Sequence, residues 1–286
     1  VFFIQLFGSK IMQLAIGTGG LEQNFSENYW NIFKSAIKKD YYIHTALNYN
    51  HVEQYFNKAY TENIKIKKVI VKIEINKNPI KKIINIPNQI NLILQKFKIE
   101  CIDTVQICNN PSANQLNIYL LKAILNYYKK KKIINNFFLE CFDPFSENLN
   151  KFINDDFFKG YIFKLNCLQR STSKKFFKDI LNSKKKIISI SPLAGGNFIE
   201  IMNNFDPSLK KKLDAIMIEN DLSNYNSLNI AFLKSIHNME FAIFGTKNID
   251  RLLNIESEIE KIKPLKKGYL EKILTLQEEY KSNISF

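Results

Sequence analysis

Histidine and cysteine, the residues that most often hold transition metals, are scarce in this sequence. Its 286 residues include three histidines and four cysteines. The histidines occur in no HxH or HExxH spacing and the cysteines in no CxxC spacing, which argues against a catalytic metal. Because three of the cysteines fall in apolar, strand-like runs, we predict reduced, buried thiols in a cytosolic protein rather than a disulfide framework.

The sequence also lacks a long apolar run. No stretch approaches the roughly 20 apolar residues that a membrane-spanning helix needs, so we predict no membrane segment. Residues 1–7 are apolar but have neither the basic start nor the cleavage site of a signal peptide. They either precede a true start at Met12 or form one arm of a hairpin with residues 12–16. We expect a cytoplasmic protein.

Arginine is nearly absent, although the formal charge at pH 7 is +14. Arg170 and Arg251 are the only arginines, so lysine supplies almost all of the positive charge. A nucleic-acid surface usually interleaves basic and aromatic residues, and no such stripe accompanies the lysines. We therefore interpret the charge as solvated helix faces and predict no nucleic-acid partner.

Motifs of common nucleophilic and nucleotide-hydrolysing sites are missing as well. The sequence has no GxSxG elbow and no GxxxxGK[ST] loop. Acidic residues at the ends of the predicted strands are too scattered to indicate the paired carboxylates of a glycosidase.

What the sequence does contain is a regular alternation of short apolar runs and amphipathic stretches. The apolar runs predict eight buried parallel strands, at residues 13–16, 41–45, 69–75, 102–107, 135–140, 161–165, 187–191 and 241–244. The amphipathic stretches predict helices, at residues 28–39, 52–60, 88–97, 113–128, 174–182, 225–235 and 248–261. Eight such units imply right-handed crossovers and favour a closed (β/α)8 TIM barrel, with an open doubly wound sheet as the alternative.

No linker rich in glycine or proline interrupts this alternation, and the composition does not change along the chain. We therefore predict a single domain spanning residues 1–286. Residues 265–283 predict a C-terminal helix packed outside the barrel.

Side chains that can exchange protons cluster where the second predicted strand ends. Residues 41–53 predict a short strand, a polar turn containing His44, Thr45 and Tyr49, and the start of a helix. Active sites of β/α proteins are built at the carboxyl ends of the strands. This stretch is therefore the first candidate for a functional site.

Two later turns have the composition of anion-binding loops. Residues 191–196 (SPLAGG) follow the seventh strand, and residues 244–251 (FGTKNIDR) follow the eighth. Each places small residues and free backbone N–H groups beside a helix start, where the helix dipole favours an anion. Loops after strands seven and eight are a common phosphate site in such barrels, and Lys247 and Arg251 add positive charge there.

Five segments, in this order along the chain, resemble those of the aldo-keto reductase family. They are residues 17–20 (GTGG), 44–49 (HTALNY), 102–111 (IDTVQICNNP), 191–196 (SPLAGG) and 245–252 (GTKNIDRL). The resemblance covers about residues 6–260. It implies an NAD(P)-dependent oxidoreductase-like barrel that uses NADPH, or less often NADH, to reduce a small-molecule aldehyde or ketone.

The resemblance also implies a catalytic set of Asp, Tyr, Lys and His, from which this sequence departs twice. Tyr49 matches the tyrosine that donates a proton to the carbonyl oxygen. His44 stands where the family has aspartate, and Cys108 stands where it has histidine. Lys72 matches the lysine that lowers the pKa of the tyrosine, but a two-residue shift of strand three puts Glu74 there instead. Both have the parity that points into the barrel, so both alternatives stay open.

For the cofactor, the resemblance implies contacts from several strand ends. Glu140 and Cys141 replace the Ser-Asn pair that holds the nicotinamide amide, and Lys164 matches a glutamine with the same task. Ile190 replaces the aromatic residue that stacks on the nicotinamide. The other predicted cofactor contacts are Gly17, Thr18, Ser191, Leu193, Gly195, Thr246, Lys247 and Arg251.

Two functions follow from this resemblance. The first is an oxidoreductase that reduces a carbonyl compound with Tyr49 as proton donor and Lys72 beside it. The second is a barrel that has lost catalysis and acts as a nucleotide-binding, regulatory or interaction protein. The phosphate loops and Tyr49 favour the first function, whereas His44 and Cys108 favour the second.

Overall fold

Eight parallel strands close into a barrel in which each strand pairs with its sequence neighbour and the first pairs with the last. The strands are β1 (Gln13–Gly17), β2 (Tyr42–Ala46), β3 (Val69–Glu74), β4 (Ile102–Cys108), β5 (Ile134–Glu140), β6 (Gly160–Lys164), β7 (Lys186–Ile190) and β8 (Met239–Phe244). The computed structural model describes residues 12–21, 24–49, 51–75, 79–108, 115–142, 146–194, 198–203 and 206–280. The predicted closed barrel is confirmed, and the open sheet is excluded.

Helices alternate with these strands. They are α1 (Glu27–Lys38), α2 (Val52–Thr61), α3 (Pro79–Ile84), α4 (Ile86–Phe97), α5 (Gln115–Lys130), α6 (Lys174–Leu181), α7 (Phe198–Asn203), α8 (Pro207–Glu219), α9 (Tyr225–Lys234), α10 (Ile249–Lys261) and α11 (Tyr269–Tyr280). A 3-10 helix spans Ser146–Phe152. The sequence did not predict α3, α7, α8 or the 3-10 helix. Residues 1–7 of the predicted hairpin and 281–283 of the predicted last helix lie outside the described residues.

Polar side chains set where several helices begin. Ser26 caps α1 by accepting from the Tyr29 N–H, and Asn248 caps α10 by accepting from the N–H groups of Asp250 and Arg251. Each bond satisfies a backbone donor that has no partner within its own helix. The α10 cap lies directly after β8, so the start of this helix is fixed at the rim of the barrel.

The barrel interior is apolar at one level and polar at the next. Its buried apolar side chains are Ala15, Ile70, Phe138, Ile162, Ile188, Phe241 and Ile243. Tyr42 packs on Phe241 with ring centroids 4.3 Å apart. Side chains alternate along a strand, so residues two positions later also face inward, and these include His44, Lys72, Glu140 and Lys164. The apolar layer therefore closes the barrel beneath a polar layer at the carboxyl ends of the strands.

Few glycines occur, and one is required by a close approach of two strands. A Cβ atom on Gly160 would lie 1.9 Å from the backbone oxygen of Lys186, so no larger residue fits at the start of β6 without moving β7. All four cysteines are free thiols, as the sequence predicts; Cys108, Cys141 and Cys167 are buried. Across the described ranges, every helix is too short or too polar to traverse a lipid bilayer.

Candidate active site

Two cavities open at the carboxyl end of the barrel. The larger, of about 1110 Å³, lies between the loops that follow β1, β2, β7 and β8. Its lining includes the predicted site residues Gly17, His44, Tyr49, Ser191, Leu193, Thr246, Lys247 and Arg251. The smaller, of about 650 Å³, lies beside β3 and is lined by Leu47, Asn48, Lys72, Glu74, Lys81, Ile84, Asn85, Asn88 and Gln89. Eight residues that the sequence nominated separately therefore share one cavity.

Tyr49 lies in the turn after β2, where backbone and glycine fix its position. Its N–H donates to the Ala46 carbonyl at 3.2 Å. A Cβ atom on Gly19 would lie 3.3 Å from the Tyr49 ring, so a small residue in the loop after β1 lets the ring pack there. Burial raises the pKa of Tyr49, and the positive charge of Lys72 acts in the opposite direction. Tyr49 is thus a half-buried phenol under the influence of a nearby cation.

His44 is buried and neutral. Its Nε2 atom lies 2.7 Å from Oε1 of Gln106, which can only accept, so Nε2 carries the proton. Burial lowers the pKa of His44 to about 4, the charge of Lys72 adds to this effect, and the hydrogen bond to Gln106 opposes it. At neutral pH this side chain therefore carries no charge and is not an ion-pair partner for a lysine.

Thr18 holds the loop after β1 against β2. Its backbone N–H donates to the carbonyl oxygen of His44 at 3.0 Å, and its hydroxyl donates to the same oxygen at 3.1 Å. The hydroxyl also lies 3.0 Å from that of Thr45. Thr18, a predicted cofactor contact, is buried and lines neither of the two cavities. Its contacts fix the backbone from which Tyr49 extends.

Lys72 is flanked by two carboxylates. Its Nζ atom lies 3.6 Å from Glu74 Oε1 and 4.0 Å from Glu140 Oε2. In the strand register Lys72 stands level with Ala46 of β2, while Glu74 lies one layer nearer the rim. Burial acts to lower the pKa of Lys72, but the surrounding acidic groups outweigh it and raise that pKa. Lys72 is therefore a cation at neutral pH.

Cys108 and Glu140 contact each other at the ends of β4 and β5. The Cys108 thiol donates to Glu140 Oε2 and lies 3.8 Å from Nε2 of Gln106. Burial and the adjacent Glu140 carboxylate raise the pKa of Cys108, so it remains a neutral thiol. His44, Gln106, Cys108 and Glu140 thus form a hydrogen-bonded row across β2, β4 and β5, which ends beside Lys72.

Gln106 is the member of this row that the sequence reading missed. It is buried and pairs in register with Lys72 of the neighbouring strand. The signal was a polar residue inside an apolar strand, two positions before Cys108 and therefore facing the same side.

The part of the larger cavity that the loop after β8 lines has features of an anion site. Thr246 hydroxyl donates to the Asn248 carbonyl and accepts from the Asn248 N–H, both at 3.1 Å, which fixes the turn before α10. The cavity lining there also includes Lys247 and Arg251. The helix α10 is 13 residues long, and its N-terminus, the positive end of its dipole, lies at this part of the cavity.

Ser191, which follows β7, has the left-handed backbone angle φ 53°, an uncommon conformation for a residue with a side chain. Asn166 Nδ2 donates to its carbonyl at 3.1 Å. Ile190, at the position where the resemblance implies a stacking aromatic, lines the same cavity. Gly195 lies outside the described residues. Lys164 pairs with Ile190 in register, but its side chain is absent from the described lining of both cavities.

No group of histidine, cysteine and acidic side chains within the described ranges is arranged to hold a metal ion.

Comparison with known proteins identifies the fold. No protein-family model and no curated protein matches the sequence. A solved thermostable aldo-keto reductase in complex with the inhibitor epalrestat is 18% identical with a TM-score of 0.68, over 92% of this chain and 94% of that chain. An aldo/keto reductase from Klebsiella pneumoniae in complex with NADP and acetate is 10% identical with a TM-score of 0.67, over 92% and 90%. An aldo-keto reductase from a Medee basin deep-sea metagenome library is 13% identical with a TM-score of 0.65, over 92% and 90%.

Proposed function

We propose that this chain, which has the aldo-keto reductase fold, is an NAD(P)H-dependent oxidoreductase that reduces a small-molecule aldehyde or ketone. The observation that carries the proposal is the position of Tyr49 in the lining of the larger cavity, under the influence of the Lys72 cation, which lines the smaller one. A carbonyl oxygen gains negative charge as hydride reaches its carbon, so reduction needs a proton donor at that oxygen. Burial raises the pKa of Tyr49, and the positive charge of Lys72 offsets part of that rise, which favours release of the proton.

The larger cavity fits a nicotinamide dinucleotide by size and by charge. Ligand pockets commonly span about 300–1,000 Å³, and this cavity has about 1110 Å³. Lys247, Arg251 and the start of α10, which follow β8, suit phosphate groups, and Tyr49 lines the same cavity. When bound, the cofactor supplies the hydride. Related structures from Klebsiella pneumoniae contain NADP and NADPH, and either NADPH or NADH meets the chemical requirement here.

The residues around Tyr49 have different roles in the proposed reaction. Tyr49 donates the proton to the carbonyl oxygen, and the positive charge of Lys72 stabilises the resulting phenolate. His44 is neutral and donates to Gln106, so it holds the polar row in place rather than moving a proton. Cys108 is an uncharged thiol and supplies no nucleophile.

The smaller cavity supports a polar substrate. Ligand pockets are mostly apolar, but this one is lined by four amide side chains, two lysines and a glutamate. Amides donate and accept hydrogen bonds together, which matches the hydroxyl groups of a hydroxyaldehyde or hydroxyketone. The substrate class that fits is a small polyhydroxylated carbonyl compound.

Oxidation of NADPH and NADH, followed with glyceraldehyde and with propanal, tests this function. We expect turnover with at least one cofactor and a kcat/KM for glyceraldehyde about tenfold higher or more, because only glyceraldehyde offers hydroxyls to the amides. Absence of cofactor oxidation with these and other aldehydes and ketones would refute the reductase. Turnover with a preference for propanal would refute only the polar substrate class.

A nucleotide-binding protein without turnover is the second candidate. It is favoured by the neutral His44, which stands where the resemblance implies aspartate, and by Cys108, which lacks the imidazole of histidine. Saturable NADPH binding combined with no oxidation of cofactor by any carbonyl compound would select this candidate over the reductase.

A further inference from the structure

We infer that Glu140, held by the Cys108 thiol, is the buried counter-anion of Lys72 and thus a positioning residue for that lysine. The inference deepens the proposed reductase function, on which its kinetic consequences rest. The resemblance implies an aspartate that orients the lysine at position 44 of β2, where this chain has His44. Here the carboxylate comes from the end of β5 instead.

The need for such an anion follows from burial. The Lys72 side chain is only 23% exposed, and a charged group removed from water requires a partner. His44 does not meet this need, because its pKa is lowered to about 4 and it is neutral. The carboxylates that face Lys72 at ion-pair distance in the described chain are Glu74 and Glu140.

Of the two carboxylates, Glu140 is the better counter-anion for Lys72, although Glu74 is closer to it. The Glu74 side chain is 38% exposed, so water and salt screen its charge. Glu140 is 8% exposed, and its interaction with Lys72 passes through a less polar medium. A separation of 4.0 Å rather than 3.6 Å reduces attraction far less than this difference in screening does.

The Glu140 carboxylate is also held in orientation. Cys108 donates to Oε2, the same oxygen that lies 4.0 Å from Lys72 Nζ. Gln106 contacts the Cys108 sulfur and, through its other amide atom, His44. Because the thiol stays protonated, it orients Glu140 without adding a competing charge. The departures at positions 44 and 108 therefore belong to one rearranged network.

The electrostatic effect on Tyr49 has a definite sign. The groups that influence Tyr49 are Lys72, which lowers its pKa, and Cys108, Glu140 and Glu74, which raise it. Cys108 is neutral at the working pH, and so is His44, so the two carboxylates are the relevant negative groups. Glu140 raises the pKa of Lys72 as well. Removing its charge therefore lowers both pKa values.

The experiment compares Glu140→Gln with Glu74→Gln in the full chain saturated with NADPH. Glutamine has nearly the shape of glutamate and still accepts from the Cys108 thiol, so folding is expected to persist; near-ultraviolet circular dichroism checks this. The direct readout is the pH dependence of Lys72 acetylation by acetic anhydride, measured on its peptide by mass spectrometry. We expect the midpoint to fall by about one pH unit or more in Glu140→Gln and by less than half of that in Glu74→Gln.

Kinetics provide the second readout. In Glu140→Gln we expect kcat to fall by about tenfold, because Lys72 loses the buried carboxylate that positions it, and the high-pH limb to move to lower pH. Glu140→Asp should recover part of the loss. The inference is overturned if the pH midpoint of Lys72 acetylation is unchanged in Glu140→Gln, or if that midpoint shifts more in Glu74→Gln than in Glu140→Gln. Acetylation of Lys72 requires no turnover. If its midpoint shifts as expected in Glu140→Gln but the wild-type protein reduces no carbonyl compound, the reductase function is refuted and the role of Glu140 as counter-anion still holds.

Discussion

Replacement of Tyr49 by phenylalanine is expected to lower kcat for carbonyl reduction by roughly 10²–10⁴-fold, the range that a positioned proton donor contributes. The substitution removes only the hydroxyl, and the ring still packs beside Gly19. The Kd for NADPH should stay within about twofold, because Tyr49 follows β2 whereas the residues proposed to bind phosphate, Thr246 to Arg251, follow β8. Stopped-flow measurement of NADPH oxidation separates loss of chemistry from loss of binding.

Tyr42→Phe is the matched control for this change. Tyr42 begins β2, the strand before the turn that contains Tyr49, but its ring packs on Phe241 in the apolar layer. Its hydroxyl interacts with Asp103, which lines neither cavity. Its removal should leave kcat within about twofold of wild type. Turnover by Tyr49→Phe at the wild-type rate would contradict the role of Tyr49 as proton donor.

Replacement of Lys72 by methionine is expected to lower kcat by about 10²-fold or more. Methionine keeps much of the length of the side chain but not its charge, so the phenolate form of Tyr49 loses its stabilisation. Since Lys72 lowers the pKa of Tyr49, its removal raises that pKa and makes the phenol a weaker acid. The high-pH limb of the residual activity should therefore move to higher pH, opposite to the shift expected for Glu140→Gln.

Lys65→Met serves as the control for the loss of a positive charge. Lys65 is exposed and pairs with Glu100 at 3.3 Å on the outer surface. An exposed pair of this kind contributes little, so rate and pH profile should match those of wild type. If Lys72→Met retained full activity with an unshifted pH profile, the proposed role of Lys72 in the reaction would be refuted.

The barrel was predictable because its signal is local and repeated. Each strand is a short apolar run, and each intervening helix has an apolar face, so the order of elements determines a parallel closed sheet. The one helix whose start was clearly encoded yet overlooked is α8. Asp206 caps it, Pro207 opens it, and Leu209 and Leu213 recur on one face. The lysine run at residues 210–212 obscured that face.

The sequence predicted which positions belong to the site, but it did not predict the hydrogen bonds and ion pairs between them. Strand parity placed Lys72 and Glu74 on the inner side of the barrel, and the family resemblance indicated His44 and Glu140. Neither revealed that Glu140 contacts Cys108 and lies near Lys72, which depends on the register of β3, β4 and β5 and on side-chain rotamers. Non-local pairing of this kind has no signature in one sequence.

Equilibrium titration with NADPH and NADH, followed by the fluorescence of Trp30, tests the central claim most directly. Trp30 is the only tryptophan, is buried in α1, and follows Tyr29, which lines the larger cavity. We predict saturable quenching by at least one of the two cofactors, with a Kd in the micromolar range or below, about −8 kcal/mol or stronger. Absence of saturable binding of both cofactors up to millimolar concentration would contradict the account.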